Sequence, residues 1–363
     1  MFLLTIQLWR RLAASVIITV LFFYSWLSGN TGSDVADNLA GRNESKVIVA
    51  SVQQVSSEAN TLQPIPAKIW QIYFKHPRPE RVWNMMREWE DKNPAYDHMI
   101  LDDEDGRDFV KQHYGHDPYV MNTYLEMTGT ILRSDFLRYL VVAAEGGLYT
   151  DSDTEATQPI DSWLSDYADQ KIRAVIGLEF DILQRDELPY GIFLPVQFCQ
   201  WSFASSAHHP LLEQMVQAVT REIHDLAIAE GVSLSQLRPR NNEDVLFTSG
   251  PVKWSQEIFA YLSSTTGTEI TYHNFTGMSE PRLFGDTMIL PIKSFATGMR
   301  GSGGGVETTN KTLLRHHFTG TWKSTDGKMP EQVKFNAEHQ RPSDEQEKKE
   351  QEKPKQEQEK RVQ

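Results

Sequence analysis

The chain is nearly devoid of cysteine: Cys199 stands alone among 363 residues. Intrachain disulfides and a cysteine-built zinc centre are therefore excluded. Cys199 itself, inside Phe198-Cys-Gln-Trp201, reads as a small buried hydrophobe rather than a catalytic thiol. Positive charge is also scarce, with 36 Lys and Arg against 49 Asp and Glu and a formal charge of −13. Such a chain has no basic field with which to displace phosphate counterions, which argues against nucleic acid as a partner. It does not exclude an acidic ligand, because a bound metal can reverse the local sign. No internal repeat is present. The glycine run Gly301-Ser-Gly-Gly-Gly305 lacks the Lys-Ser/Thr of a phosphate-binding P-loop and reads as a hinge or loop. Long apolar runs are limited to one, the uncharged residues 12–27.

That run spans about 24 Å as a helix, a length suited to a thin secretory membrane. Arg10 and Arg11 precede it, and Asp34 and Asp37 follow. This asymmetry predicts a cytosolic tail over 1–11, a transmembrane signal anchor over 12–27 and a lumenal remainder. A cleaved signal peptide is the rival reading, disfavoured because Trp26 and Leu27 sit where small residues are needed. Residues 28–62 are polar and rich in Ser, Asn, Gly and Gln, as in a flexible lumenal stem. Asn43, Asn274 and Asn310 head N-x-S/T sequons, the glycosylation sites expected of a lumenal chain. From about Pro342 the chain is rich in Glu, Lys and Gln with no apolar face to bury. Residues 326–363 are accordingly predicted to be a charged tail, disordered or a solvated helix.

Between these ends the sequence alternates strand-like and helix-like stretches. Ile69–Phe74 has a strand pattern. Residues 79–92 place Val82, Met85, Met86 and Trp89 at helical spacing, as a core face rather than a cofactor site. Residues 98–101 read as a strand, two short helices follow, residues 174–177 read as a buried strand, and residues 210–229 as an amphipathic helix. This order predicts an α/β domain with a mostly parallel sheet. Its most telling segment is 130–155. Ile131, Leu137, Leu140, Val141 and Ala144 suit a buried helix carrying Asp135 and Arg138 on one face. Gly146-Gly147 ends that helix, and Leu148-Tyr149 begin a strand that delivers Asp151 and Asp153. Carboxylates at i and i+2 point to one side and suit Mg²⁺ or Mn²⁺. A bare Asp-x-Asp is also common in solvated turns and helix caps. Here, however, it lies beyond a strand's carboxyl end, where α/β sheets bind ligands.

The run Arg133-Ser-Asp-Phe-Leu-Arg138 with Gly146-Gly-Leu-Tyr-Thr-Asp-Ser-Asp153 resembles the signature of the DxD glycosyltransferases that include fungal Golgi α-1,6-mannosyltransferases. Further stretches agree with that family in order. They are Ile65-Pro-Ala-Lys-Ile-Trp-Gln71, Trp89-Glu-Asp-Lys-Asn-Pro94, Val196-Gln-Phe-Cys-Gln-Trp201 with His209-Pro210, Thr248-Ser-Gly-Pro251, and His316-His-Phe-Thr-Gly-Thr-Trp322. The stretch from 196 is similar to the initiation-specific α-1,6-mannosyltransferase branch in particular. The chain departs from the family pattern at Thr321, where a Ser is usual, and at Thr-Ser-Gly-Pro in place of Thr-Gly-Pro.

The resemblance implies a Rossmann-like GT-A nucleotide-sugar-binding domain over 63–325. It implies transfer of mannose from GDP-mannose to an N-glycan core in α-1,6 linkage, with Mn²⁺ or another divalent cation and with retention of configuration. A Golgi, type II membrane location follows from the same likeness. Asp153 becomes the first metal ligand, Asp151 lies nearer the ribose or reaches the metal through water, and His317 is the third ligand, with His316 the adjacent alternative. Asp135 and Arg138 become donor-binding residues, together with Trp70 on the opening strand and Trp322 closing over the donor. Glu243 and Asp244 are candidates facing acceptor or leaving group, although they also suit a helix N-cap. Gln197, Gln200 and Trp201 are the candidate acceptor or specificity residues. The rival readings are transfer to mannan chains or sphingolipid head groups, and a non-catalytic subunit of a mannosyltransferase complex.

Overall fold

The computed structural model describes residues 64–297, except 184, 186, 190 and 191, and residues 308–318. The anchor at 12–27, the stem, Asn43, the glycine run at 301–305, Trp322 and the tail lie outside the described residues. No helix among the described residues is long and apolar enough to cross a membrane.

The chain enters through β1 (Lys68–Ile72), α1 (Glu80–Lys92) and β2 (Asp97–Leu101), a parallel β-α-β unit. The α1 helix starts directly after Pro79 and buries Val82, Met85, Met86 and Trp89, the face its spacing predicts. Two helices follow, α2 (Asp103–Tyr114) and α3 (Pro118–Glu126). Asp102 opens α2 in a reciprocal capping box with Asp105, and Asp117 caps α3 ahead of Pro118. The long helix α4 (Thr130–Glu145) is buried almost all round, from Leu132 to Ala143. A helix apolar on every side belongs inside a fold, so the charges of Asp135 and Arg138 are carried into the core.

At Gly146 and Gly147 the backbone takes φ of +68° and +104°. A Cβ at Gly146 would lie 2.6 Å from the Ala207 nitrogen, and one at Gly147 would lie 2.8 Å from the Lys68 carbonyl oxygen. Only glycine fits both the dihedrals and the space. The break ends α4 and starts β3 (Gly147–Thr150), which pairs in parallel with β1. Beyond β3 come β4 (Thr154–Ala156), β5 (Ala174–Asp181), β6 (Val196–Ser205), α5 (Pro210–Glu230), α6 (Asn242–Thr248), α7 (Pro251–Thr266), β7 (Arg282–Phe284), β8 (Thr287–Leu290), α8 (Ile292–Phe295) and β9 (Leu314–His316).

Seven strands form one sheet in the order β2-β1-β3-β6-β5-β8-β7. β1, β2, β3, β5 and β8 share a direction, while β6 and β7 are reversed. The expected α/β architecture is present, and its sheet is mixed: parallel in direction for most strands, with the longest strand antiparallel near the centre. β2 lies on one side of β1 and β3 on the other. The strand order thus reverses at β1, and the crevice beyond the carboxyl ends of β1 and β3 is the topological switch point where such sheets bind ligands. β4 and β9 make a separate two-stranded ribbon next to it.

Candidate active site

Asp151 is the first residue past β3, at that switch point. Its backbone N–H donates to the Trp201 carbonyl at 2.8 Å, and its carbonyl accepts from the Thr154 N–H and hydroxyl. The turn so closed carries Asp153 and leads straight into β4. Trp89 braces it from α1 by donating its indole N–H to the Thr154 carbonyl, and Asn93, just past that helix, holds the chain beyond β4 by accepting from the Ile160 N–H at 2.7 Å.

The antiparallel register of β9 on β4 sets Thr154 opposite His316. His316 Nε2 lies 3.0 Å from Asp153 Oδ1, across 163 positions of sequence. Asp151, Asp153 and His316 each offer a ligand atom within 4.8 Å of the others. Carboxylate and imidazole donors suit Mn²⁺, and His316 Nδ1 is buried with no hydrogen-bond partner among the described residues. The residues present fit a divalent cation.

His317, the expected third ligand, points elsewhere. It is the first residue past β9: its backbone N–H donates to the Asp153 carbonyl at 2.9 Å, and its Nε2 meets Glu155 Oε2 at 3.2 Å instead. The structure places its neighbour His316 with the aspartates.

Arg138 lies beside the trio. Its Nη2 is 2.9 Å from Asp135 Oδ1 and 3.4 Å from Asp151 Oδ1, with all three groups largely withdrawn from solvent. Burial disfavours the guanidinium charge, but Asp151, Tyr149 and Asp135 outweigh it and hold its pKa above the ordinary value. Tyr149 also donates its hydroxyl to Asp151 Oδ1 at 2.5 Å. Asp135 is completely buried, and that burial pushes its carboxyl up to about 6 against the opposing pull of Arg138 and Ser249. Ser249 donates to Asp135 Oδ2 at 2.9 Å. Removing one partner from such a buried pair costs about 3–5 kcal/mol.

The three residues expected to set specificity divide between the faces of β6. Gln200 joins the Asp135 side, where its Oε1 is 2.7 Å from the Tyr139 hydroxyl. Gln197 and Trp201 turn the other way, onto Glu179 of β5: Gln197 Nε2 donates at 2.9 Å and Trp201 Nε1 at 3.1 Å. Glu179 is buried, and desolvation raises its pKa while Gln197, Trp201 and His316 oppose the rise. Sequence reasoning missed Glu179 and Ser249. The signal for Glu179 was a lone carboxylate in the apolar run Ala174-Val-Ile-Gly-Leu-Glu-Phe.

Other expected residues have local roles. Trp70 is buried, donating to the Gly146 carbonyl at 2.8 Å and meeting Phe109 edge-on at 5.5 Å. It secures the glycine break. Asp244 accepts from the Arg240 N–H at 2.7 Å while Asn241 accepts from the Asp244 N–H, a helix cap on α6. Glu243 is exposed in the same first turn. No described hydrogen bond or ion pair joins either residue to the aspartates. Asn310 is exposed, and Asn274 uses its side-chain oxygen to accept from the Thr271 N–H. Cys199 is fully buried, as expected.

Asp135 and Asp151 share the Arg138 guanidinium, while Asp153 pairs with His316 and Glu179 feels the same imidazole. A site so acidic calls for further positive charge, and its position suits a ligand bearing phosphate. Residues 79–169 match the family model described as a glycosyltransferase sugar-binding region containing a DXD motif. The initiation-specific α-1,6-mannosyltransferase of Schizosaccharomyces pombe is 34% identical over 262 residues, covering 71% of this chain and 64% of that protein, less than two thirds of its length. The Candida albicans enzyme of the same name is 30% identical over 290 residues, covering 74% of each chain. Among solved structures, the PaToxG glycosyltransferase is similar at 18% identity and a TM-score of 0.37, over 60% of this chain and 79% of its own. The chain belongs to the DXD-motif glycosyltransferase family, alongside the fungal initiation-specific α-1,6-mannosyltransferases.

Proposed function

We propose that this glycosyltransferase moves mannose from GDP-mannose to an N-glycan core in α-1,6 linkage, with retention of configuration. The observation that carries the reading is the convergence of Asp151, Asp153 and His316 beside the Arg138–Asp135 pair at the switch point. The donor and linkage rest on the two mannosyltransferase relatives. Asp153, Asp151 and His316 would hold a divalent cation, Mn²⁺ by preference, which supplies charge neutralisation at the donor diphosphate.

The chain's own residues do the rest. Arg138 is held cationic and oriented by Asp135 and Asp151, so its guanidinium is preorganised for phosphate or sugar oxygens. Asp135 accepts hydrogen bonds from sugar hydroxyls, and Ser249 fixes its second oxygen. Burial of these groups excludes water that would hydrolyse the donor. In the front-face route the bond from the sugar's C1 to the phosphate oxygen breaks and a bond from C1 to the acceptor oxygen forms on the same face. The acceptor proton passes to the departing phosphate. A Golgi location, with an N-terminal anchor and the catalytic domain in the lumen, completes the proposal.

The test is a donor and acceptor screen with the purified full chain. GDP-mannose, UDP-galactose and UDP-glucose are offered with a Man8 N-glycan or with mannobiose, and the products are mapped by linkage analysis. A new α-1,6-mannose on the N-glycan is the expected product. Turnover of a UDP-sugar alone overturns the mannosyl assignment, and elongation of mannobiose alone moves the enzyme to mannan chains.

A further inference from the structure

We propose that Glu179, Gln197 and Trp201 form a buried support that fixes the His316 ring and so sets the site's cation affinity without touching the ion. This rests on the cation reading above.

A metal-binding imidazole is usually oriented by a hydrogen bond from its second ring nitrogen to a carboxylate, carbonyl or water. His316 has no such bond among the described residues: Nε2 faces Asp153, and Nδ1 is buried without a partner. Aromatic packing holds the ring instead. The Trp201 ring lies 4.5 Å from the imidazole, tilted by 39°, and Phe318 lies 3.9 Å from it. His316 is therefore gripped by two aromatic rings whose own centroids are 6.1 Å apart.

Trp201 is in turn fixed by Glu179. One oxygen of that carboxylate takes the indole N–H at 3.1 Å and the other takes the Gln197 amide at 2.9 Å. Glu179 is 6% exposed. A buried carboxylate satisfied by two neutral donors is a costly way to build a core, but it locks an indole in one orientation. The order of action is Gln197 on Glu179, Glu179 on Trp201, Trp201 on His316. Trp201 and Gln197 thereby serve the metal ligand.

The experiment measures Mn²⁺ affinity of the full chain by electron paramagnetic resonance titration of free Mn²⁺, without donor or acceptor. Trp201→Phe keeps the ring and removes the N–H; Glu179→Gln keeps the shape and mismatches one of its two donors. Both are expected to weaken Mn²⁺ binding about 10–100-fold, and His316→Ala at least as much. Trp254→Phe is the control, since Trp254 donates its indole N–H to the Cys199 carbonyl on the same strand and should leave Mn²⁺ affinity at the parent value. Parent-like affinity in Trp201→Phe and Glu179→Gln, with His316→Ala defective, overturns the support and leaves the cation reading intact. Equal weakening in Trp254→Phe also overturns it, as general loosening of the strand. Parent-like affinity in His316→Ala removes the cation reading itself. Trp201→Phe alone decides the matter if Glu179→Gln does not fold.

Discussion

Ser249→Ala isolates the electrostatics of Asp135. The change deletes one hydroxyl, which donates to Asp135 Oδ2 at 2.9 Å, and leaves the buried carboxyl with one donor fewer. A hydrogen bond to a charged group contributes about 1.5–3 kcal/mol, and one between neutral groups about 1 kcal/mol. Asp135 is pushed up to about 6 by burial, the largest influence, and Ser249 is one of the groups pulling it back down. The variant's Asp135 therefore titrates higher still. At pH 8 the carboxyl is ionised and the variant is expected to lose about 2 kcal/mol, a fall in melting temperature of roughly 4–8 °C for a domain of this size. At pH 5 the folded carboxyl is protonated, and the deficit shrinks toward about 1 kcal/mol. The sign follows from linkage: the ordinary carboxyl ionises near 3.8, so Asp135 itself costs stability as pH rises from there through about 6, and the cost is larger without Ser249. Thermal unfolding at the two pH values, followed by circular dichroism, reads both numbers. A deficit equal at pH 5 and pH 8, or none at pH 8, refutes the assignment of Ser249 as the donor to an ionised Asp135.

Arg138→Lys replaces a fork shared by two carboxylates with a point charge; donor turnover, as kcat/KM from GDP release, is expected to fall 10–150-fold, corresponding to about 1.5–3 kcal/mol. Gly147→Ala forces a Cβ to 2.8 Å from the Lys68 carbonyl oxygen at a φ of +104°. It should destabilise the domain by at least about 1–3 kcal/mol, read by denaturant unfolding. His317→Ala breaks the Glu155 contact and should keep Mn²⁺ affinity within about twofold of the parent, whereas His316→Ala loses it about 10-fold or more.

The part of the site that reads directly from sequence is the part built by neighbours in the chain. The α4 helix, the Gly146-Gly147 break, β3 and the two aspartates form one continuous segment, so period, punctuation and the i, i+2 rule carry the inference. Asp135 and Arg138 share a helix face for the same local reason. What escaped depends on contacts between distant positions. Which of His316 and His317 faces the aspartates is decided where the chain leaves β9 opposite the Asp151–Asp153 turn, a contact across 163 positions of sequence. The family resemblance pointed to His317, with His316 the adjacent alternative. Glu179 hid in an eight-residue strand buried on both faces, where no alternation marks the functional side. β6 is buried along almost its whole length, so Gln197, Gln200 and Trp201 looked like one specificity stretch when the pleat sends them to opposite faces. Ser249 was visible within Thr-Ser-Gly-Pro, but its partner lies 114 positions away.

The most direct test of the central claim is GDP release from GDP-mannose by the full chain with an N-glycan acceptor, measured in Mn²⁺ and in EDTA, for the parent and for Asp153→Ala. Turnover by the parent in Mn²⁺, lost both in EDTA and in Asp153→Ala, is the expected result. Parent-level turnover in EDTA, or in Asp153→Ala with Mn²⁺, contradicts the assignment of this site as a cation-assisted mannosyl-transfer centre.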